Sequence, residues 1–436
     1  QIDRVAGINA LNETIVRGSG GDDRFFLRGV AGPTSLEGQD GADRFYISSN
    51  ARKSNFTEAD FYNDTAPDGN VDERADFILS KLTGNLMGMS GLTIDAGGGG
   101  NGGTFDAAYF SAADSLTALV DGKVSPGVGV GQITGLGIPG AISYKAPSTG
   151  GLSLVIGLSD YDDQFTVQSA EERVQVYVAA GDGNDSLHVG DDSNSLTGIS
   201  GIVGFFGGDG TDTLNVYGDA AAPTTDATTA AASATLNPHD TVLIDDQFGE
   251  TSLRGAVFEY VGESPVTITD WSAEDFLQDP AKWRTVYVVG QMTAIGITGM
   301  GMGTNPLRAI HNDVFGTSYD RDLTPDDNIP ARYPGSIYFG VKNGDNFSAM
   351  AEVINVQLGG QDDRFLVDSV LPGATANILG GAGDDEIVVG STVSGLYPSN
   401  LRRADYVHGT LRLDGQRGHD LLLVDDSGDN TVNTGT

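Results

Sequence analysis

One recurring turn constrains this chain more than any other feature. It is clearest at Ile378-Leu379-Gly380-Gly381-Ala382-Gly383-Asp384-Asp385-Glu386-Ile387-Val388-Val389: an apolar stretch, a Gly/Asp turn, then an alternating strand. Counting the second aspartate as zero, an apolar residue stands at −7, glycine usually at −2, and apolar residues at +2 and +4. Asp23, Asp43, Asp185, Asp212, Asp385 and Asp420 all fit. Asp163 and Asp363 keep the frame with Tyr161 and Gln361 at −2. An internal repeat decides architecture before any local propensity does.

The spacing is nested. Asp163 and Asp185 are 22 residues apart, as are Asp363 and Asp385, and the two pairs are offset by 200. Each pair follows a similar opening, Ile133-Thr134-Gly135-Leu136-Gly137-Ile138 and Ile297-Thr298-Gly299-Met300-Gly301-Met302. Three repeat blocks are therefore expected, 1–131, 132–295 and 296–436, the last cut short. An Ala/Thr-rich insertion falls in the second block, and long surface loops are expected at 48–74, 220–240 and 303–335. Thr269–Phe276 reads as the start of a short helix. A 22-residue interval holds two short strands and two turns, and a lone short strand cannot hide its apolar face. Stacked coils would, so the expected fold is all-β: a parallel β-roll or β-solenoid with irregular coils and long loop insertions.

Charge narrows the partners. The 436 residues carry a formal net charge of −36, which disfavours nucleic acid and anionic membrane and favours cations. No apolar run is long enough to span a membrane as a helix, so no membrane insertion is expected. With no cysteine, disulfides and thiolate zinc are excluded. Residue 1 is Gln and the last residues follow a repeat, so the chain reads as either a processed product or a piece of something longer.

Stacking also suggests chemistry. Neighbouring coils lie about 4.8 Å apart, and two like charges about 5 Å apart repel by roughly 3 kcal/mol at an effective dielectric near 20. A column of aspartates then calls for a hard cation tolerant of irregular geometry, which is calcium. The expected ligands are Asp23, Asp43, Asp163, Asp182, Asp185, Asp209, Asp212, Asp363, Asp384, Asp385 and Asp420, helped by Asp22, Asp40, Asp160, Asp162 and Asp362. Arg24, Arg44 and Arg364 follow their aspartates and could stand in for metal there.

The turns Gly181–Asp185, Gly208–Asp212 and Gly380–Asp385 resemble the Gly/Asp-rich calcium repeats of haemolysin-type (RTX-like) proteins. Together with the repeated openings they look like long tandem-repeat extracellular surface or matrix proteins. The resemblance implies a secreted or cell-surface location and calcium-driven folding. On that footing the expected function is a calcium-stabilised structural repeat segment of an extracellular filament, surface layer or matrix. The alternatives are an adhesin stalk or carbohydrate-binding surface protein, and then a polysaccharide-modifying enzyme. Self-association with neighbouring copies, and glycans, are the expected partners. No Gly-x-Ser-x-Gly or His-Glu-x-x-His arrangement is present and the five histidines are scattered, so no enzyme is expected. Tyr161-Asp162-Asp163 could imitate a proton-transfer site. Of five sequons, at Asn12, Asn55, Asn63, Asn184 and Asn346, those at Asn55 and Asn63 are the expected glycan carriers.

Overall fold

At seven of the eight copies the +2 and +4 residues of the turn motif are buried, whereas Leu422 and Val424, after Asp420 on an outermost strand, are exposed. Phe25 and Leu27, Phe45 and Ile47, Phe165 and Val167, Leu187 and Val189, Leu214 and Val216, Phe365 and Val367 are all buried in one continuous core. Each such side chain contributes about 1.5–3 kcal/mol on burial, which holds two sheets face to face. A computed structural model describes residues 13–57, 60, 78–97, 105–127, 129–147, 150–218, 225–245, 248–249, 256–276, 279, 281–287, 290–305, 333–343, 346–390 and 404–426.

Each of the two main sheets has 12 strands. The first runs in order Thr14–Gly20, Thr34–Asp40, Leu92–Asp95, Ile142–Lys145, Gly131–Thr134, Gly122–Pro126, Gln164–Val167, Ser186–Val189, Thr213–Tyr217, Val353–Gly359, Thr375–Ala382, Thr410–Arg417. The second runs Arg24–Leu27, Arg44–Ile47, Phe105–Ser111, Gly151–Gly157, Val174–Asp182, Ile202–Asp209, Ser336–Tyr338, Gly296–Thr298, Gly290–Met292, Arg364–Val367, Glu386–Val389, Leu421–Val424. Most neighbours pair in parallel, but each sheet is mixed. Gly131–Thr134 is antiparallel to both its neighbours in the first sheet, and Gly296–Thr298 to both of its own in the second.

These reversed strands are the repeated openings of the sequence. Each is followed by the same left-handed triplet, Gly135-Leu136-Gly137 and Gly299-Met300-Gly301, with φ of 69°, 55°, 71° and 81°, 55°, 75°. The expected open parallel roll or solenoid is thereby overturned. The molecule is a globular two-layer mixed β-sheet fold with dense packing across the layers. Alternation specifies which face of a strand is buried, but a reversed strand alternates in the same way.

The expected helix at Thr269–Phe276 is a single 3-10 turn, Trp271–Ala273. Its cap is Asp270, whose Oδ1 accepts from the Ser272 N–H at 3.0 Å. The 48–74 excursion is in part packed structure: Phe56 is buried and stacks obliquely on Tyr46 with centroids 5.1 Å apart. Asn55 donates its side-chain amide to the carbonyls of Asn50 and Lys81 at 2.8 and 3.2 Å, so the nitrogen a glycan would need is engaged. Asn12, Asn63 and most of 303–335 lie outside the described residues.

Between Thr213–Tyr217 and Val353–Gly359, neighbours in the first sheet, the chain makes a long excursion. Asn215 and Asn355 are bridged there by an amide hydrogen bond of 2.8 Å. Part of the excursion is an accessory unit with its own core of Leu236, Val242, Phe258, Ile268, Trp271, Phe276 and Trp283. Val257 and Leu243 of this unit meet Leu366 of the second sheet in a separate small cluster. Both tryptophans of the chain are in the unit's core. Trp emission and far-UV circular dichroism are therefore expected to report different unfolding midpoints in urea, because two cores that share one small apolar cluster among the described residues need not open together. Coincident midpoints would show that the cores unfold as one.

Candidate cation-binding corners

The motif aspartates occupy the corners where the chain crosses between sheets. Two antiparallel pairings in succession cancel, so strands on either side of each reversed strand run the same way. All crossings from the first sheet to the second therefore fall on one long side of the fold, and return crossings on the other. Asp23, Asp43, Asp363, Asp385 and Asp420 lie on the first side; Asp163, Asp185 and Asp212 lie on the opposite side. Asp163 and Asp363, matched in sequence frame, are thus separated by the width of the fold. The single aspartate column expected from the repeat becomes three short rows on two sides.

Within a row, each carboxylate staples its layer to the one before. Asp43 Oδ1 accepts from the Asp23 N–H at 2.9 Å, and Asp106 Oδ1 from the Asp43 N–H at 2.7 Å. Asp185 accepts from Asp163 at 2.7 Å, Asp212 from Asp185 at 2.9 Å, and Glu352 Oε2 from Asp212 at 2.8 Å. Asp385 accepts from Asp363 at 3.0 Å and Asp420 from Asp385 at 3.1 Å. The preceding residue staples in the opposite sense. Oδ1 of Asp22, Asp162, Asp362 and Asp384 accepts from the N–H of Ala42, Asn184, Asp384 and His419, at 2.9, 2.8, 2.8 and 2.9 Å. Asp182 and Asp209 face each other in register at the solvent-exposed strand ends.

Asp106 and Glu352 are row members that the −2 glycine did not flag. The usable signal was a carboxylate followed by apolar residues at +2 and +4: Ala108 and Phe110, Ile354 and Val356. Burial raises the carboxyls of Asp43 and Asp106, and the Arg44 guanidinium lowers them against that effect. Arg44 Nη1 donates to the carbonyl of Asp43 at 3.1 Å, and Arg364 Nε lies 3.3 Å from Glu386.

The second carboxylate oxygen sets the chemistry. Oδ2 of Asp23, Asp43, Asp106, Asp185, Asp212 and Asp385 is buried with no hydrogen-bond partner. Asp163 differs: its Oδ2 accepts from the N–H and hydroxyl of Ser159 at 2.8 and 2.9 Å, so that carboxylate is satisfied by the chain itself. At three corners the orphan oxygen faces a hollow left by the glycine at −5. A Cβ on Gly18 would lie 2.5 Å from Asp23 Oδ2 and 2.8 Å from the Gly38 carbonyl. One on Gly38 would meet Asp43 Oδ2 and, at 3.0 Å, the Ala96 carbonyl; one on Gly380 would meet Asp385 Oδ2 and, at 2.8 Å, the Gly415 carbonyl. Gly207 holds the same relation to Asp212 Oδ2.

At these three corners a carboxylate oxygen and a carbonyl oxygen both pack beside the glycine Cα, and the carboxylate oxygen has no donor. Such acceptors need a positive partner, a proton or a cation. Burial raises the carboxyls of Asp43, Asp212 and Asp385 above their ordinary range, and pushes Asp106 and Asp185 to about 7. Neighbouring carboxylates add to the burial effect at Asp106 and Asp185. Among the described residues no group of three or more His, Cys, Asp or Glu side chains converges as metal ligands. A cation at these corners would therefore draw on main-chain carbonyls as well, which calcium tolerates.

Compared with known proteins, the chain matches no family model, no curated protein and no solved structure. Neither the haemolysin-type resemblance nor the tandem-repeat reading survives the packed two-sheet fold. The extended filament, surface-layer or adhesin-stalk role falls with them, because those roles need one uniform stack and this fold has two reversals and an accessory core. Among the described residues no helix is long and apolar enough to cross a membrane.

Proposed function

We propose that the protein is a non-catalytic divalent-cation-binding β-domain that works where calcium is abundant, outside the cell. The observation supporting this reading is the set of buried Oδ2 atoms with no donor, three of which, on Asp23, Asp43 and Asp385, lie beside a main-chain carbonyl oxygen. Asp23, Asp43, Asp106, Asp185, Asp212 and Asp385 would hold the ion. Calcium would supply the positive charge that lets these carboxylates stay ionised in a dry setting. Few charged ligands per site imply the weak range of extracellular modules, a Kd of about 10⁻⁴–10⁻³ M.

Calcium at several millimolar is expected to raise the melting temperature by linkage, and a chelator to reverse the rise. Magnesium, which needs tighter octahedral geometry, is expected to do less. The double variant Asp212→Asn with Asp385→Asn separates the ion from the proton. Asn keeps the Oδ1 acceptor and removes the charge. Without calcium it should be as stable as the parent or more so; with calcium it should lose much of the gain. A melting temperature indifferent to ten-millimolar calcium, with no heat of binding, would sink the reading.

A further inference from the structure

Large apolar side chains exposed to solvent are unevenly placed on this molecule. Leaving aside the outermost strands of the sheets and Val286 of the accessory unit, those exposed among the described residues are Met87 (65%), Leu116 (88%), Val120 (63%) and Tyr161 (48%). Isolated exposed hydrophobics are ordinary, but a group on one side marks a contact surface.

The chain brings these four to one side of the fold. The Asp114 N–H donates to the Gly84 carbonyl at 2.8 Å, tying the Leu116 segment to that of Met87. Met87 Cγ lies against Gly137, and Gly135 packs so closely on the Asp121 carbonyl that a Cβ would strike it. The Leu119 N–H donates to Asp163 Oδ1 at 2.5 Å and the Leu119 carbonyl accepts from the Gln164 N–H at 2.7 Å, which brings in Tyr161. Exposed Asp114, Asp121, Asp160 and Asp162 stand on the same segments.

We propose that this surface docks a basic amphipathic segment of a partner protein, its apolar face on Leu116, Val120, Met87 and Tyr161 and its cations on the acidic rim. Charge complementarity selects this occupant. A second copy of a chain at −36 would bring like charge to like charge, and an anionic bilayer is repelled. Four side chains make a small interface, so binding is transient and micromolar.

The test uses the whole chain and a fluorescein-labelled Lys/Leu amphipathic peptide, followed by fluorescence anisotropy in chelator so that the corner ions play no part. Binding is expected in the micromolar range and to weaken with salt. Leu116→Ser with Val120→Ser is expected to weaken it about tenfold. Asp114→Asn with Asp121→Asn is expected to weaken it a few-fold and to flatten the salt dependence. Equal binding by the serine variant, or binding of a Glu/Leu peptide as tight as that of the Lys/Leu peptide, overturns the proposal. So does sedimentation showing a parent dimer that the serine variant abolishes, which would make the occupant a second copy.

Discussion

Gly210→Ala is expected to cost more than about 3 kcal/mol of stability, among the largest losses a single methyl can cause here. Two independent reasons add. The backbone at Gly210 has φ of +149°, a conformation that side chains rarely adopt. A Cβ there would also overlap the carbonyl oxygen of Gly183 in the adjacent layer, and that atom is main chain and cannot swing aside. Moving Gly183 would disturb the Thr211 N–H bond to Asn184 Oδ1 (3.1 Å) and the Asp185 N–H bond to Asp212 (2.9 Å), so the loss spreads along the row. Gly20→Ala is the control: a Cβ at Gly20 meets nothing within 4 Å and the backbone needs no positive φ. It should change stability by less than about 0.5 kcal/mol. Urea unfolding of both variants reads the difference, and a cost below about 1 kcal/mol at Gly210 would show that the layers are not held at this spacing.

The same glycine shows what could be read without coordinates. A glycine two before an aspartate, with apolar residues at +2 and +4, announced a tight crossing followed by a strand with one buried face, and Leu214 and Val216 are buried accordingly. It could not announce on which side of the fold the crossing lies. Both crossings of a layer use the same period-two alternation, so Asp163 and Asp363 look equivalent in sequence while lying on opposite sides. The reversed strands were hidden for a related reason. Ile133 and Ile297 alternate with polar neighbours whichever way their strand runs, and hydrogen bonding to two existing strands decides direction.

The two oxygens of a corner carboxylate have different surroundings. Oδ1 of Asp43, Asp106, Asp163, Asp185, Asp212, Asp385 and Asp420 accepts from a main-chain amide of another segment. What remains is Oδ2, unpaired with glycine at −5 of Asp23, Asp43, Asp212 and Asp385 and also with Ala180 at −5 of Asp185. At Asp23, Asp43 and Asp385 it lies beside an acceptor, whereas before Asp163 the segment carries Ser159, which supplies donors.

Asp368→Asn is expected to make the protein more stable at pH 7.5, by as much as about 3 kcal/mol. Asp368 follows the strand Arg364–Val367 and is 3% exposed, with Oδ1 buried and unpaired. Burial alone pushes its carboxyl up to about 6 from an ordinary 3.8. The sign follows from where the proton is held more tightly. The folded-state value lies above the unfolded one, so the stabilising contribution is complete below about 4 and is lost as pH rises through about 6. Above that, the fold carries a bare charge in a dry place, a penalty of about 3 kcal/mol at 1.4 kcal/mol per unit. At pH 5 the folded carboxyl is mostly protonated and the penalty falls to about half. Asn removes the ionisation and keeps the shape, so parent and variant should converge as pH drops from 7.5 to 5. An unpaired amide also costs something when buried, which trims the gain. Taking the difference between the two chains at each pH in chelator cancels the titration of the corner aspartates, which both share. Urea unfolding at the two pH values measures it, and a variant less stable than the parent at pH 7.5 would mean that the Asp368 charge has a partner in solution.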